Sequence, residues 1–298
     1  SVPLTGFLGR AAGWPIGVIF LGLAGAMVPS AIRVANGDVI TWHAAWVPEL
    51  GLDLALRLDG LSVIFIALAL VIGALVFFYS TTYFTKGNQR GFYVIMTGFT
   101  FAMVALTVSD SLVLMFLTWE LTSLASFLLI ARSGHAGEAA SMRTMLLTFI
   151  GGLALLAAVA LIMARTGTST FSQAIASPVW GSDPAFTGLI AVLVALAGFS
   201  KAAQFPFHLW LPDAMAAATP VSAYLHAAAV VKAGIYLLFR FSIIFHSALI
   251  WNVLLVGLGL FTSVLAAWFA MQQVDLKKLM AYSTVSQLGL ITATIGVG

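Results

Sequence analysis

The chain alternates long apolar runs with short polar punctuation. A helix that crosses a bilayer needs about 20 mostly apolar residues. Nine stretches meet that need, at 12–34, 60–84, 91–109, 111–131, 144–164, 187–210, 214–245, 249–271 and 279–297. Several hold Gly or Pro, which spanning helices tolerate better than soluble ones. The runs are continuous, about twice the length of a barrel strand and without its alternation, so strands are not expected. The pattern predicts an all-α, polytopic transmembrane bundle, with residues 1–298 as one membrane domain and no soluble module. The only sizeable polar links are 35–59 and 165–186.

Loops on successive sides of such a bundle divide the charges unevenly. One side receives Arg10, Lys86, Arg90, Arg132, Arg143, Lys277 and Lys278, with Glu138, Asp213 and Asp275. The other receives Arg33, Arg57, Arg165 and Arg240, with Asp38, Glu49, Asp53, Asp59, Asp110 and Asp183. Basic loops stay in the cytoplasm, so the first side is expected there. Lys277 and Lys278 read as anchor charges at the membrane edge, with proton intake as the lesser alternative.

Composition agrees. Apolar residues make up 61% and charged residues 8%, with a mean hydropathy of +1.08. A soluble surface uses about 25% charged residues, so the solvent is lipid. The net charge of +3 sits in inter-helix loops and implies no nucleic-acid partner. The absence of cysteine removes disulfides, cysteine-ligated clusters and cysteine zinc sites. The opening SVPLTGFLGRAAGW lacks the basic region and short apolar core of a signal peptide. The glycines of GLGLF at 257–261 follow no strand, which argues against a dinucleotide loop. No Walker sequence occurs, and the five histidines show no HExxH spacing.

Three charges are left inside spans: Glu120, Lys201 and Lys232. Each costs about 2.5–3.5 kcal/mol at a helix centre. Such groups face a bundle interior or a hydrated cavity and mark ion or proton routes. A static clamp of Glu120 with one lysine is the plainer alternative, but a clamp needs only one base. Lys201 and Lys232 are therefore candidate relay bases, with Glu120 tuning Lys201. His226 stands six positions before Lys232, about 9 Å along a continuous helix and about 120° around it, within reach of a bridging water. Pro206, Pro212 and Pro220 follow Lys201. They predict a discontinuous helix across Lys201–Pro212, with free carbonyls that need water or cations and a cavity that His208 could use. Gln204 suits either that pathway or a helix–helix hydrogen bond.

These residues sit in long motifs. TWELTSLASFLLI around Glu120, KAAQFPFHLWLPDAMAAATPVSAYLHAAAVVKAGIYLLFR from Lys201, DLKKLMAYSTVSQLGL from Asp275 and LRLDGLSVIFIALALVIGALVFFYSTTYF at 56–84 resemble the antiporter-like family. That family comprises the large subunits of Mrp-type cation/proton antiporters and the proton-pumping membrane subunits of respiratory complex I. FPFHLWLPDAM followed by VKAGIYLL is most similar to the Mrp A-subunit branch.

The resemblance implies two inverted repeats, a broken helix after Lys201 and a central hydrophilic axis. Carried over residue by residue, Glu120 is the modulating carboxylate, Lys201 the first relay lysine, and His226 and Lys232 the next stations, with His208 beside them. It implies a subunit of a multi-subunit sodium/proton antiporter in a bacterial plasma membrane. Its partners are the other membrane subunits and the lipid bilayer, its cargo H+ and Na+, and it needs no cofactor. A pump subunit of complex I or of a membrane-bound hydrogenase is the alternative. Two departures stand out. SVPLTGFLGR resembles only the tail of the family's first helix, and the sequence stops before a second lysine-bearing broken helix, so one half-channel is expected. AAATPVS lacks the family's usual proline two residues before Thr219.

Overall fold

The computed structural model describes residues 9–47, 49, 52–85 and 89–298. The expected tail of a first helix at 1–8 and the loop charge Lys86 lie outside them, as does the Arg10 side chain.

Among the described residues, fourteen α-helices and one β-hairpin follow in chain order: α1 (Gly13–Ala26), α2 (Val28–Ala35), β1 (Ile40–Val47), β2 (Leu52–Leu58), α3 (Gly60–Tyr83), α4 (Arg90–Val108), α5 (Leu112–Ala131), α6 (His135–Thr166), α7 (Phe171–Ile175), α8 (Val179–Ser182), α9 (Pro184–Lys201), α10 (Trp210–Asp213), α11 (Thr219–Ala227), α12 (Val230–Phe245), α13 (Leu249–Met271) and α14 (Leu276–Val297). Eight spans among them are long and apolar enough to cross a membrane, against nine expected. The ninth stretch, α14, is a 22-residue helix, but Lys277, Lys278 and its Ser, Thr and Gln positions dilute its apolar content.

Three boundaries differ from expectation. α6 starts at His135, well before residue 144, because the polar first turns of the helix stand beyond the apolar window. The stretch 214–245 is not one helix: α11 ends at Ala227 and α12 starts at Val230, with Ala229 at φ −119° and ψ −99°. Alanine is the strongest helix former, so nothing local marks this break. The link 35–59 carries strands where none were expected. β1 pairs antiparallel with β2, Trp42 opposite Leu56 and Ile40 opposite Leu58. The alternation LDLALRL is a strand period, but it is too short to register as a membrane element.

That hairpin belongs to a polar cap at one end of the bundle. Asp110 N–H donates to the Ala55 carbonyl at 2.8 Å, and Phe171 N–H to the Asp110 carbonyl at 2.6 Å. The Asp110 carboxylate, 1% exposed, accepts from Ser172 N and from Ser172 Oγ at 2.5 Å. One buried acid thus stitches β2, the start of α5 and α7.

The long helices pack through small residues, as lipid-embedded helices do when little hydrophobic force drives them together. A Cβ on Gly259 would lie 2.7 Å from the Gly289 carbonyl, which fixes α13 against α14. A Cβ on Gly234 would lie 2.5 Å from Ala202 N, which fixes α12 against the end of α9.

Ion pairs support the two-sided division of charge. Arg143 meets Asp213 at 2.8 Å on the basic side; Arg33 meets Asp38 and Arg165 meets Asp183 on the other. Arg240 is the correction. Expected in a loop, it lies inside the bundle at 3% exposure, a fourth charge within the spans.

Candidate functional site

Glu120 and Lys201 come from different helices, α5 and α9. Glu120 is on α5, and its carboxyl rests on α6: a Cβ on Gly152 would collide with Oε1. The neighbouring Gly151 faces α9, where a Cβ would strike Ser200 Oγ. This glycine pair lets one turn of α6 touch both functional helices at backbone distance. The pair bears no charge and stands out in the sequence only as a Gly-Gly in an apolar helix, which is a signal of close packing.

Lys201 is fully buried at the last residue of α9. Among the described residues no ion pair joins it to Glu120. Its Nζ donates instead to the Trp119 carbonyl and to Thr122 Oγ1, each at 2.5 Å, and stands 4.0 Å from the Trp119 ring centroid. Glu120 Oε1 is buried with no hydrogen-bond partner. A simple clamp, with the carboxylate gripping the amine, is not the observed arrangement.

The helix does break after Lys201, five residues before Pro206. Ala203 turns the chain at φ 52°, the left-handed region that costs an L-residue about 1–2 kcal/mol. The expected free carbonyls are mostly occupied by protein donors. Gln204 N–H bonds Phe199 O at 2.9 Å, Trp210 Nε1 bonds Ser200 O at 2.8 Å, and Gln204 Nε2 bonds Ala202 O at 2.8 Å. Gln204 therefore ties its own turn rather than two helices, while its Oε1 is buried and unpartnered. His208 does not join the other candidates. It stacks between Phe205 at 5.8 Å and Phe269 at 6.3 Å, with Nδ1 buried and unpartnered.

His226 and Lys232 are brought together, but not by the helical arithmetic expected. The break at Ala228–Ala229 separates them, so a continuous rise and rotation do not apply. Both instead line one cleft of about 570 Å³ with Ser222, Lys277, Thr284 and Gln287. A water takes about 30 Å³, so the cleft that both bases line has room for several. His226 Nδ1 lies 3.3 Å from Thr284 Oγ1, and its Nε2 is buried and unpartnered. Ser222, on the same cleft wall, bonds back to the Ala218 and Thr219 carbonyls. Lys277, expected as an anchor charge, also lines this cleft and donates to the Ala217 carbonyl at 3.3 Å. The residues that sequence analysis missed here, Thr284 and Gln287, carry no charge and look like ordinary helix polarity.

A second polar cluster closes the opposite end. Arg240 donates to Asp59 through Nη1, to Tyr236 Oη from Nε at 3.0 Å and to Ser62 Oγ from Nη2 at 3.1 Å. Arg57 Nε also reaches Asp59, at 3.1 Å. Burial alone would raise the Asp59 carboxyl, but the Arg240 guanidinium and the Ser62 hydrogen bonds outweigh it and hold the group below its ordinary value. Every partner is satisfied, which is the signature of a structural clamp.

A family profile described as NADH:quinone oxidoreductase/Mrp antiporter, TM, matches residues 109–298, well over half of the chain. The chain belongs to this antiporter family. Glu120, Lys201, His226 and Lys232 all lie in the matched part. A second profile, described as NADH-Ubiquinone oxidoreductase (complex I), chain 5 N-terminus, matches residues 44–94 of this antiporter-family chain. A Na(+)/H(+) antiporter subunit from Alkalihalophilus pseudofirmus is 41% identical over 290 residues, covering 96% of this chain and 36% of that protein. A putative antiporter subunit mnhA2 from Staphylococcus haemolyticus is 39% identical over 277 residues, 92% of this chain and 34% of its own length. The structure of an Mrp complex from Dietzia sp. superposes with a TM-score of 0.94 at 50% identity, over 99% of this chain and 32% of that one. A membrane-bound sulfane sulfur reductase, an archaeal respiratory complex, shares the fold at a TM-score of 0.80 and 24% identity. The chain spans about a third of the length of the relatives it matches.

Proposed function

We propose that this antiporter-family chain is part of a subunit of a multi-subunit sodium/proton antiporter in a bacterial plasma membrane, and that it carries protons along Glu120, Lys201, His226 and Lys232. Residues 1–298 form one membrane unit in this reading, with the basic face in the cytoplasm. The partners are the other membrane subunits of the complex. H+ and Na+ are cargo, and no cofactor is required. His208, stacked between two aromatic rings, stands outside this row.

One observation carries the reading. The Lys201 amine is completely buried, beside a half-buried Glu120 whose Oε1 has no hydrogen-bond partner, and no ion pair joins the two. A static clamp would bring the two into contact, because an uncompensated buried charge is expensive. Held apart, each keeps the capacity to change its protonation state.

A pump subunit of a redox-driven complex is the second reading, favoured by the complex I profile over residues 44–94. Sodium-dependent proton movement in everted membrane vesicles, with neither NADH nor quinone, separates the two. In the full-length protein within its assembled complex, Lys201→Ala and Glu120→Ala are expected to abolish that movement while assembly persists. Normal transport by both variants would overturn the pathway.

A further inference from the structure

The receptor for the Lys201 amine is built from α5 residues on either side of Glu120 in sequence, Trp119 and Thr122, and is distinct from the carboxylate. Thr122 is fully buried and its hydroxyl is already committed: Oγ1 donates to the Trp119 carbonyl at 2.8 Å. Back-bonding of this kind is ordinary for threonine in a membrane helix, and by itself it says nothing. Here it fixes the hydroxyl's polarity. With its only proton spent on Trp119 O, Thr122 can meet Lys201 solely as an acceptor. Nζ sits 2.5 Å from that oxygen and 2.5 Å from the same Trp119 carbonyl, over the Trp119 ring. An ammonium is all donor, and an aromatic face favours it further. A neutral amine gains less from each of these three contacts.

We propose that Thr122, with the Trp119 carbonyl and ring, is a positioning residue that docks the protonated form of Lys201 away from Glu120. This rests on the pathway reading above and adds to it a residue that bears no charge. Thr122 sets how readily Lys201 gives up its proton, so a larger or smaller share of amines is charged at a given pH.

The test uses the full-length protein in its native complex, with antiport followed in everted vesicles across pH. Thr122→Val keeps the β-branched shape and removes the acceptor; Thr122→Ser keeps the acceptor. A hydrogen bond to a charged group contributes about 1.5–3 kcal/mol, so Thr122→Val is expected to displace the pH profile towards acid by about one unit or more. Thr122→Ser is expected to restore the wild-type profile. Thr122→Ala serves as a second acceptor-free variant should valine impair assembly. An unmoved profile in the acceptor-free variants overturns the proposal, as does a serine variant that behaves like valine. Lys201→Ala run alongside separates the two levels: if it transports normally, the pathway itself fails. If it is inactive while Thr122→Val is normal, only the dock fails.

Discussion

The α-carbon of Gly152 faces the Glu120 carboxyl so closely that a single added methyl would collide with Oε1. The acid is therefore held by the missing side chain of another helix as much as by its own. Because the obstructing atoms are the far end of a flexible side chain, the carboxyl can swing away and leave the backbone where it is.

Gly152→Ala is accordingly expected to leave the complex assembled but to lower transport, with an overpacking cost of about 1–3 kcal/mol. Gly151→Ala meets Ser200 Oγ and, at 3.2 Å, the Ala197 carbonyl, so it pushes on the α9 backbone and is expected to cost more stability. Gly257→Ala, with nothing within 4 Å, is the neutral control. Thermal melting of the purified complex, paired with vesicle antiport, checks all three.

The Arg240–Asp59 cluster should behave as a clamp rather than a station. Removing one partner of a buried pair costs roughly 3–5 kcal/mol, so Asp59→Asn alone is expected to lower the melting temperature sharply. Adding Arg240→Met, which removes the stranded charge, is expected to recover part of the loss. A double variant as unstable as the single one contradicts the clamp.

The same cluster gives a pH dependence. The folded carboxyl of Asp59 is held below the ordinary value of 3.8. A depressed carboxyl contributes stability that is complete above the unfolded value and vanishes as pH falls through the folded one. The melting-temperature gap between wild type and Asp59→Asn should hold steady from neutral pH down to about 4, close below that, and be gone once the folded carboxyl is protonated. Melting curves recorded across acid pH measure it.

Adjacent lysines on α14 should separate in function. Lys277 lines the cleft of His226 and Lys232, whereas Lys278 is exposed and lines a different one with Arg143 and Asp213. Lys277→Gln is expected to reduce antiport several-fold and Lys278→Gln to leave it near wild type. Equal effects on vesicle transport would return Lys277 to the role of an anchor.

The chain by itself determined the membrane class, most of the spans and which charged residues, Glu120, Lys201 and Lys232, stand inside them. Those depend on local quantities: about twenty apolar residues in a row make a span, and a charge among them declares itself by its insertion cost. The motifs around Glu120, Lys201 and Lys232 also carried the family. Only the tertiary structure decided who touches whom. It broke a helix at Ala228–Ala229, among the best helix formers, and drew Arg240 inward to a partner 181 residues away. It gave the Lys201 amine to Thr122 and Trp119 rather than to Glu120. Propensity and hydropathy are sums over neighbours in sequence, whereas contacts follow from packing between helices that are distant in the chain. No local pattern records which acceptor a buried amine will find.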